Sequence, residues 1–209
     1  KKGQTIPNAV CITFDDGYAD NHDVALPILR NHCLPATFFI ATGFLDGGRM
    51  WNDTITESVR LCRTGMIDLG ELGCYAVNTA AEKAVAINSI IGKIKYLTVN
   101  ERLTAAQSVA NAARVSPPND LMMTSDQVKT MRQAGMQIGA HTISHPILAR
   151  LNDEQAKAEI KGGKDFLEQL LGEHVRLFAY PNGKPGEDYT SASVEVVRSL
   201  GFDAAVSTQ

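Results

Sequence analysis

The chain has 209 residues, of which 44% are hydrophobic and 21% charged, proportions typical of a folded globular domain. Its 20 basic and 23 acidic residues give a net charge of −3 without any cluster of lysines and arginines, so nothing supports nucleic-acid binding. No apolar run reaches the roughly 18 residues of a membrane-spanning helix, and the first residues lack the apolar stretch of a signal peptide.

The chain opens with a strand–helix–strand pattern. Apolar runs rich in β-forming residues predict strands over 9–14 and 36–42. The pattern between them favours a helix over 21–32, in which Pro27 predicts a kink or a late start. A strand, helix and strand at this spacing form a βαβ unit, so we expect a parallel sheet.

The middle of the chain is less regular. Residues 43–80 give mixed signals and predict no clear element. From about 81 to 115, apolar residues recur at helical spacing in two successive stretches. We therefore expect an α-helical hairpin inserted into the α/β pattern.

The last third returns to alternating helices and strands. In chain order, the predicted elements are a helix over 125–134, a strand over 136–140, a helix over 153–171, a strand over 175–180, a helix over 191–200 and a strand over 202–207. The five predicted strands are fewer than the eight of a complete (β/α) barrel. The expected fold class is α/β, either an incomplete barrel or a doubly wound sheet.

Polar side chains follow three of the predicted strands at their carboxyl ends. Asp15 and Asp16 follow the first strand, His141 and His145 follow the third, and the segment 180–183 follows the fourth. In both candidate architectures, working residues gather at this edge of the sheet. We therefore expect the three groups to converge on one site.

The residue types favour a metal site. Two histidines four residues apart can reach one ion, and one carboxylate beside them leaves coordination positions open for catalysis. A second, adjacent carboxylate can then act as a base. Taken singly, the histidines also fit surface or core positions, and Asp-Asp-Gly also fits a turn. The zinc-protease pattern H-E-x-x-H is absent, since Thr142 stands where its glutamate would be.

Three motifs resemble those of the polysaccharide deacetylase family, also called the NodB homology or carbohydrate esterase 4 family. They are T-F-D-D-G at 13–17, H-T-I-S-H at 141–145 and F-A-Y-P-N-G at 178–183. The resemblance covers nearly the whole chain apart from 43–120. It implies one catalytic domain over 1–209, as part of a longer chain. The implied fold is a distorted, incomplete (β/α) barrel of the NodB type, with the helical insertion near 81–115.

The resemblance also implies roles for the motif residues. Asp15 would be the general base, and Asp16, His141 and His145 would bind one divalent metal ion. Zn²⁺ is the expected ion, with Co²⁺, Ni²⁺ and Fe²⁺ as alternatives.

Further roles concern the histidine loop and the substrate. Thr142 and Ser144 would hold the histidine loop by hydrogen bonds. Pro181 and Asn182 would shape the substrate groove beside Tyr180, and the Asn182 backbone N–H would donate to the developing oxyanion.

Two other side chains are weaker candidates. Trp51, the only tryptophan, is either a platform for a sugar ring or a half-buried anchor of its loop. Many members of the family have an arginine where this chain has Ala179, so Arg176 is a candidate to support Asp15 instead. No general acid is assigned, because His174 precedes its strand and the other remaining histidines fit no motif.

The implied activity is hydrolysis by a metal-activated water that removes N-acetyl groups from an N-acetylated poly- or oligosaccharide. The alternatives are an O-deacetylase of the acetylxylan type on the same scaffold, and a catalytically silent glycan-binding domain. A cell-wall or exopolysaccharide substrate would place the full-length protein outside the cytoplasm or at a membrane. The residues determine neither this location nor the oligomeric state.

Overall fold

The structure is a computed structural model that describes residues 9–208. It divides into two compact units, one formed by residues up to Gly47 and from Met122 onward, the other by Gly48–Leu121. The strands of the described residues are β1 (Thr13–Phe14), β2 (Thr37–Ile40), β3 (Met66–Asp68), β4 (Cys74–Ala76), β5 (Gln137–Ala140), β6 (Leu177–Ala179) and β7 (Ala204–Val206). The α-helices are α1 (Leu26–Asn31), α2 (Trp51–Leu61), α3 (Ala80–Ile94), α4 (Val99–Ala113), α5 (Ser125–Gln133), α6 (Asp153–Leu171) and α7 (Ser191–Ser199).

The first unit is built on a parallel sheet in the order β1-β2-β5-β6-β7. Each of its strands lies within a predicted strand, which confirms the parallel α/β pattern. The first strand is shorter than predicted, because the apolar run that precedes it lies at the surface, where Val10 is 86% exposed. The core of this unit includes the fully buried rings of Phe38 and Phe178.

Local sequence signals set the ends of its helices. Thr124 and Asn152 cap α5 and α6 through their side chains, each paired with a glutamine three residues later. Gly172 closes α6 in the left-handed conformation that glycine adopts without strain. Near Pro27, a wider π-helical turn over Asn21–Ala25 leads into α1, which is the irregularity that the proline predicts.

The second unit comprises α2, the antiparallel pair β3–β4, α3 and α4. The predicted helical insertion is present as α3 and α4, whose first turns carry the capping boxes Thr79–Glu82 and Thr98–Glu101. The inserted unit is larger than this hairpin, since α2 and β3–β4 pack with it around their own apolar cluster. None of the helices in the described part of the chain is both long enough and apolar enough to cross a membrane.

Candidate active site

The two aspartates lie on a strained turn directly after β1. Asp16 has a φ of +73° and Gly17 a φ of +92°. The Gly17 N–H donates to the Asp15 carbonyl at 2.9 Å, which closes a three-residue γ-turn around Asp16. The Asp16 carbonyl in turn accepts from the Ala41 N–H at 3.1 Å. Such strained backbone persists where its surroundings fix it, and it is common at functional sites.

The two histidines flank a second strained loop, directly after β5. Thr142 and His145 have φ values of +66° and +51°, in the left-handed region that side chains other than glycine disfavour. The Thr142 hydroxyl donates to the His141 carbonyl and accepts from the His145 N–H at 3.1 Å. Thr142 therefore bridges the two histidines through hydrogen bonds.

Two neighbouring segments hold this loop from outside. The N–H groups of Thr42 and Gly43 donate to the Thr142 and Ile143 carbonyls at 3.2 and 2.8 Å. On the other side, the Ser144 hydroxyl donates to Glu159 of α6 at 2.7 Å. The sequence analysis predicted a hydrogen-bonding role for Ser144 but did not single out Glu159.

The loops bring together Asp16, His141 and His145, whose ligand atoms all lie within 4.8 Å of one another. Asp16 Oδ1 lies 3.4 Å from His141 Nε2 and 3.3 Å from His145 Nε2. Within the described residues, this buried Oδ1 has no hydrogen-bond partner. A buried carboxylate oxygen without a partner is costly, and a bound cation removes that cost.

A hydrogen bond at the Nδ1 atom of His141 determines which ring nitrogen carries the proton. Its Nδ1 lies 2.8 Å from the carbonyl oxygen of Ala179, the last residue of β6. A carbonyl only accepts, so Nδ1 donates, and in the neutral ring Nε2 then presents a lone pair toward Asp16. Two nitrogen ligands and one carboxylate suit Zn²⁺ and related divalent ions, and the histidine–carbonyl contact is one that metal-bound histidines commonly make. The residues present therefore fit a divalent metal ion.

The two carboxyls have opposite pKa shifts. Desolvation raises the pKa of Asp15, His141 opposes this shift, and the charge of Asp16 adds to it. Desolvation acts on Asp16 as well, but the interactions with His141 and His145 outweigh it and lower the pKa of Asp16. A neighbouring pair whose pKa values are driven apart is suited to one base and one ligand.

The third motif reaches the site through its backbone. Ala179 supplies the carbonyl that contacts His141, so the missing arginine side chain at this position leaves that contact intact. Pro181 is buried, and Asn182 is half-buried with a φ of +62°. Tyr180 is only 6% exposed, and its ring stacks on that of Tyr189 at 3.9 Å. The substrate-facing roles of Tyr180, Pro181 and Asn182 stay predictions.

The two weaker candidates, Arg176 and Trp51, contact residues other than the three of this cluster. The Arg176 guanidinium pairs with the Asp203 carboxylate at 3.0 Å. Arg176 directly precedes β6, whereas Ala179 is the last residue of that strand, so the two lie at opposite ends of it. Trp51 begins α2 in the second unit instead of standing in a loop, and it is 8% exposed with Arg102 5.0 Å above its ring. It is part of the apolar cluster of the second unit, and its contact with substrate stays a prediction.

The remaining histidines lie outside the cluster. His22 contacts Asp23 at 2.8 Å, and the side chain of His174 is 84% exposed beside Glu168. His32 lies at the exposed end of α1. As in the sequence analysis, none of them is assigned as the general acid.

The sequence of this chain matches one known protein family. A family model described as polysaccharide deacetylase matches residues 2–70 and 79–205. The chain belongs to the polysaccharide deacetylase family. All three sequence motifs lie within the matched residues, which confirms the resemblance. Membership also supports the general class of a carbohydrate deacetylase, a hydrolase.

Individual relatives agree with this family. The chain is similar to a poly-beta-1,6-N-acetyl-D-glucosamine N-deacetylase of Staphylococcus aureus (strain MSSA476), with 26% identity over 160 residues, 73% of this chain and 54% of the relative. The structure of the Streptococcus pyogenes deacetylase PplD in complex with acetate matches with a TM-score of 0.57 and 20% identity, over 98% of this chain and 57% of that one. The structure of IcaB from Ammonifex degensii matches with a TM-score of 0.58 and 19% identity, over 96% of this chain and 60% of that one.

These likenesses establish the architecture of the chain. The solved structures share its fold, which confirms the predicted incomplete (β/α) barrel as a half-barrel of parallel strands with helices around it. The chain spans about half the length of the curated relatives it matches.

Proposed function

We propose that this deacetylase is metal-dependent and removes N-acetyl groups from an N-acetylated glycan. The observation that carries the proposal is the buried Oδ1 of Asp16, which faces the Nε2 atoms of His141 and His145 and has no hydrogen-bond partner among residues 9–208. This donor set fits a divalent metal ion, with Zn²⁺ first among the candidates. Asp15 stands beside it with its pKa raised.

The residues have distinct roles in this proposal. When bound, a divalent metal ion lowers the pKa of a coordinated water and polarises a carbonyl group. Asp15, which adjoins Asp16 at the end of β1 and is exposed, accepts the proton of the attacking water. The Asn182 backbone N–H donates to the oxyanion that develops on the acetyl carbonyl oxygen. The products are acetate and the free amine of the sugar.

The choice of an N-acetyl substrate rests on relatives. The Staphylococcus aureus protein to which the chain is similar is named for N-deacetylation of poly-N-acetylglucosamine. Its 26% identity supports the same bond type without identifying the linkage of the glycan. We therefore propose an amide-bond hydrolase acting on N-acetylated sugars as a class.

The test measures metal content and acetate release on the 209-residue chain. The protein is depleted with a chelator and reconstituted with Zn²⁺, Co²⁺ or Ni²⁺, and then incubated with N-acetylglucosamine oligomers or with acetylated xylan. We expect about one bound metal per chain and acetate from the N-acetylated oligomers only. Acetate from xylan alone would indicate an O-deacetylase, and activity that survives complete metal removal would contradict the metal-dependent mechanism.

A further inference from the structure

The loop between the two histidines is bound to one carboxylate of helix α6. Glu159 Oε2 accepts from the Ile143 N–H at 3.0 Å and from the Ser144 N–H at 2.8 Å. Glu159 Oε1 accepts from the Ser144 hydroxyl at 2.7 Å. One side chain thus satisfies two backbone donors and one hydroxyl within the three residues that separate His141 from His145.

Helix α6 approaches this loop unusually closely. It carries two consecutive glycines in its interior, where glycine weakens a helix. A Cβ atom on Gly163 would lie 2.7 Å from the Thr142 carbonyl oxygen, and one on Gly162 would lie 2.4 Å from the Ile143 side chain. The glycines therefore let the helix come near enough for Glu159 to reach the loop backbone.

The loop needs such support because its conformation is strained. Thr142 and His145 both adopt positive φ values, which non-glycine residues keep only when their surroundings fix them. The bond between Thr142 and the His145 N–H lies within the loop and cannot set the loop's position relative to the sheet. Contacts from outside the loop can set it: the Thr42 and Gly43 N–H groups hold it on one side, and Glu159 of α6 holds it on the other.

We propose that Glu159 is a positioning residue for metal binding: it holds the 142–144 backbone so that the Nε2 atoms of His141 and His145 face Asp16. This inference rests on the proposed metal site. Glu159 itself contributes no ligand atom to the cluster of Asp16, His141 and His145. Its effect is therefore expected on metal affinity, through the geometry of the two histidines.

The test is the Zn²⁺ dissociation constant, measured by competition with a chromophoric chelator, together with the thermal unfolding of the metal-free protein. For Glu159→Ala we expect Zn²⁺ binding weaker by about 10- to 100-fold. For Glu159→Gln we expect affinity close to that of the wild type. Its amide oxygen still accepts from both N–H groups, while its amide nitrogen donates to the Ser144 hydroxyl. Glu154→Ala, on the exposed first turn of the same helix, is the matched control and leaves the affinity unchanged.

The outcomes separate this inference from the proposed function. If the wild type binds no Zn²⁺, the metal site is wrong and the role of Glu159 with it. If the wild type binds and Glu159→Ala binds equally well, only the role of Glu159 is wrong. Equal weakening in the alanine and glutamine variants would also overturn it, since charge and not loop position would then matter. If Glu159→Ala does not fold, Ser144→Ala is the alternative variant, because it removes only the hydrogen bond from the Ser144 hydroxyl to Glu159. We expect it to weaken Zn²⁺ binding by about 2- to 10-fold. Unchanged binding in Ser144→Ala would overturn the inference.

Discussion

His141 and Ala179 join two different strands at the candidate metal site: the Nδ1 of the histidine donates to the alanine carbonyl over 2.8 Å. The contact fixes the imidazole with its Nε2 lone pair toward Asp16. Because the acceptor is a backbone atom, the side chain at position 179 can vary without removing it. This explains how a chain with alanine in place of arginine keeps the histidine oriented.

Replacing His141 is expected to abolish metal binding. His141→Ala removes one of three ligands and leaves too few to hold the ion. Elemental analysis of the reconstituted variant should find far less than one metal per chain. His174→Ala, which alters an exposed histidine, should retain the wild-type content. Full metal occupancy in His141→Ala would place the metal elsewhere.

Substitutions of the two adjacent aspartates are expected to differ in effect, one slowing acetate release alone and the other removing metal binding as well. Asp15→Asn should keep the metal but release acetate more slowly by about 10²- to 10⁴-fold, the range for loss of a general base. Asp16→Asn should lose both metal and activity. Acetate release and metal content measured on the same samples distinguish the two, and Asp126→Asn on the exposed start of α5 is the control. A fully active Asp15→Asn would exclude Asp15 as the base.

Replacing each of two helical glycines by alanine is expected to change the free energy of unfolding in opposite directions. In Gly163→Ala the new methyl would lie 2.7 Å from a backbone oxygen, so we expect a loss of about 1–3 kcal/mol in the free energy of unfolding. Gly92 lies in α3 with open space around it, so Gly92→Ala should gain up to about 1 kcal/mol from helix propensity. Chemical denaturation of both variants tests this, and a Gly163→Ala protein as stable as the wild type would refute the close approach of α6.

The Tyr180 phenol is expected to limit stability in alkali. Burial and the neighbouring Tyr189 raise its pKa to about 12, although Arg198 opposes the shift. The unfolded chain loses this proton near pH 10, so between about pH 10 and about 12 the unfolded state binds fewer protons than the folded state. The free energy of unfolding therefore falls as pH rises through this window.

The matched variants isolate this contribution. Tyr180→Phe should lose less of its unfolding free energy between neutral and alkaline pH than the wild type, as measured by urea unfolding at several pH values. Tyr96→Phe changes an exposed tyrosine and should follow the wild-type curve. Identical pH dependence in all three proteins would mean that Tyr180 ionises as readily in the folded state as in the unfolded one.

The sequence predicted the parts of the fold that depend on local pattern. Five apolar runs gave the five strands of the parallel sheet, and the residues following three of them gave the candidate site. Residues 43–80 resisted prediction because β3 and β4 are only three residues long and turn through Gly70 and Gly73, and because α2 is rich in Asn, Asp, Thr and Ser, which are weak helix formers. Trp51 was placed in a loop for the same reason, whereas it begins α2.

Glu159 was missed for a different reason. A glutamate on an amphipathic helix looks like part of a solvated face, and its partners lie about 15 residues away in a loop whose position only the tertiary structure reveals. The available signal was the Gly162–Gly163 pair, because two glycines in a helix interior have no local advantage. They indicate that another segment of backbone comes close.

The hydrogen bonds around Asp46 join the two points at which the chain leaves the first unit and returns to it. The Asp46 N–H donates to the Met123 carbonyl at 3.2 Å, and its carboxylate accepts from the Ser125 N–H and hydroxyl at 2.8 and 2.6 Å. The first unit thus ties together, with its own residues, the two points where the chain departs and returns. Because the entropic cost of closing a loop rises only slowly with its length, the length of the chain between these two points has little effect on the cost of bringing them together.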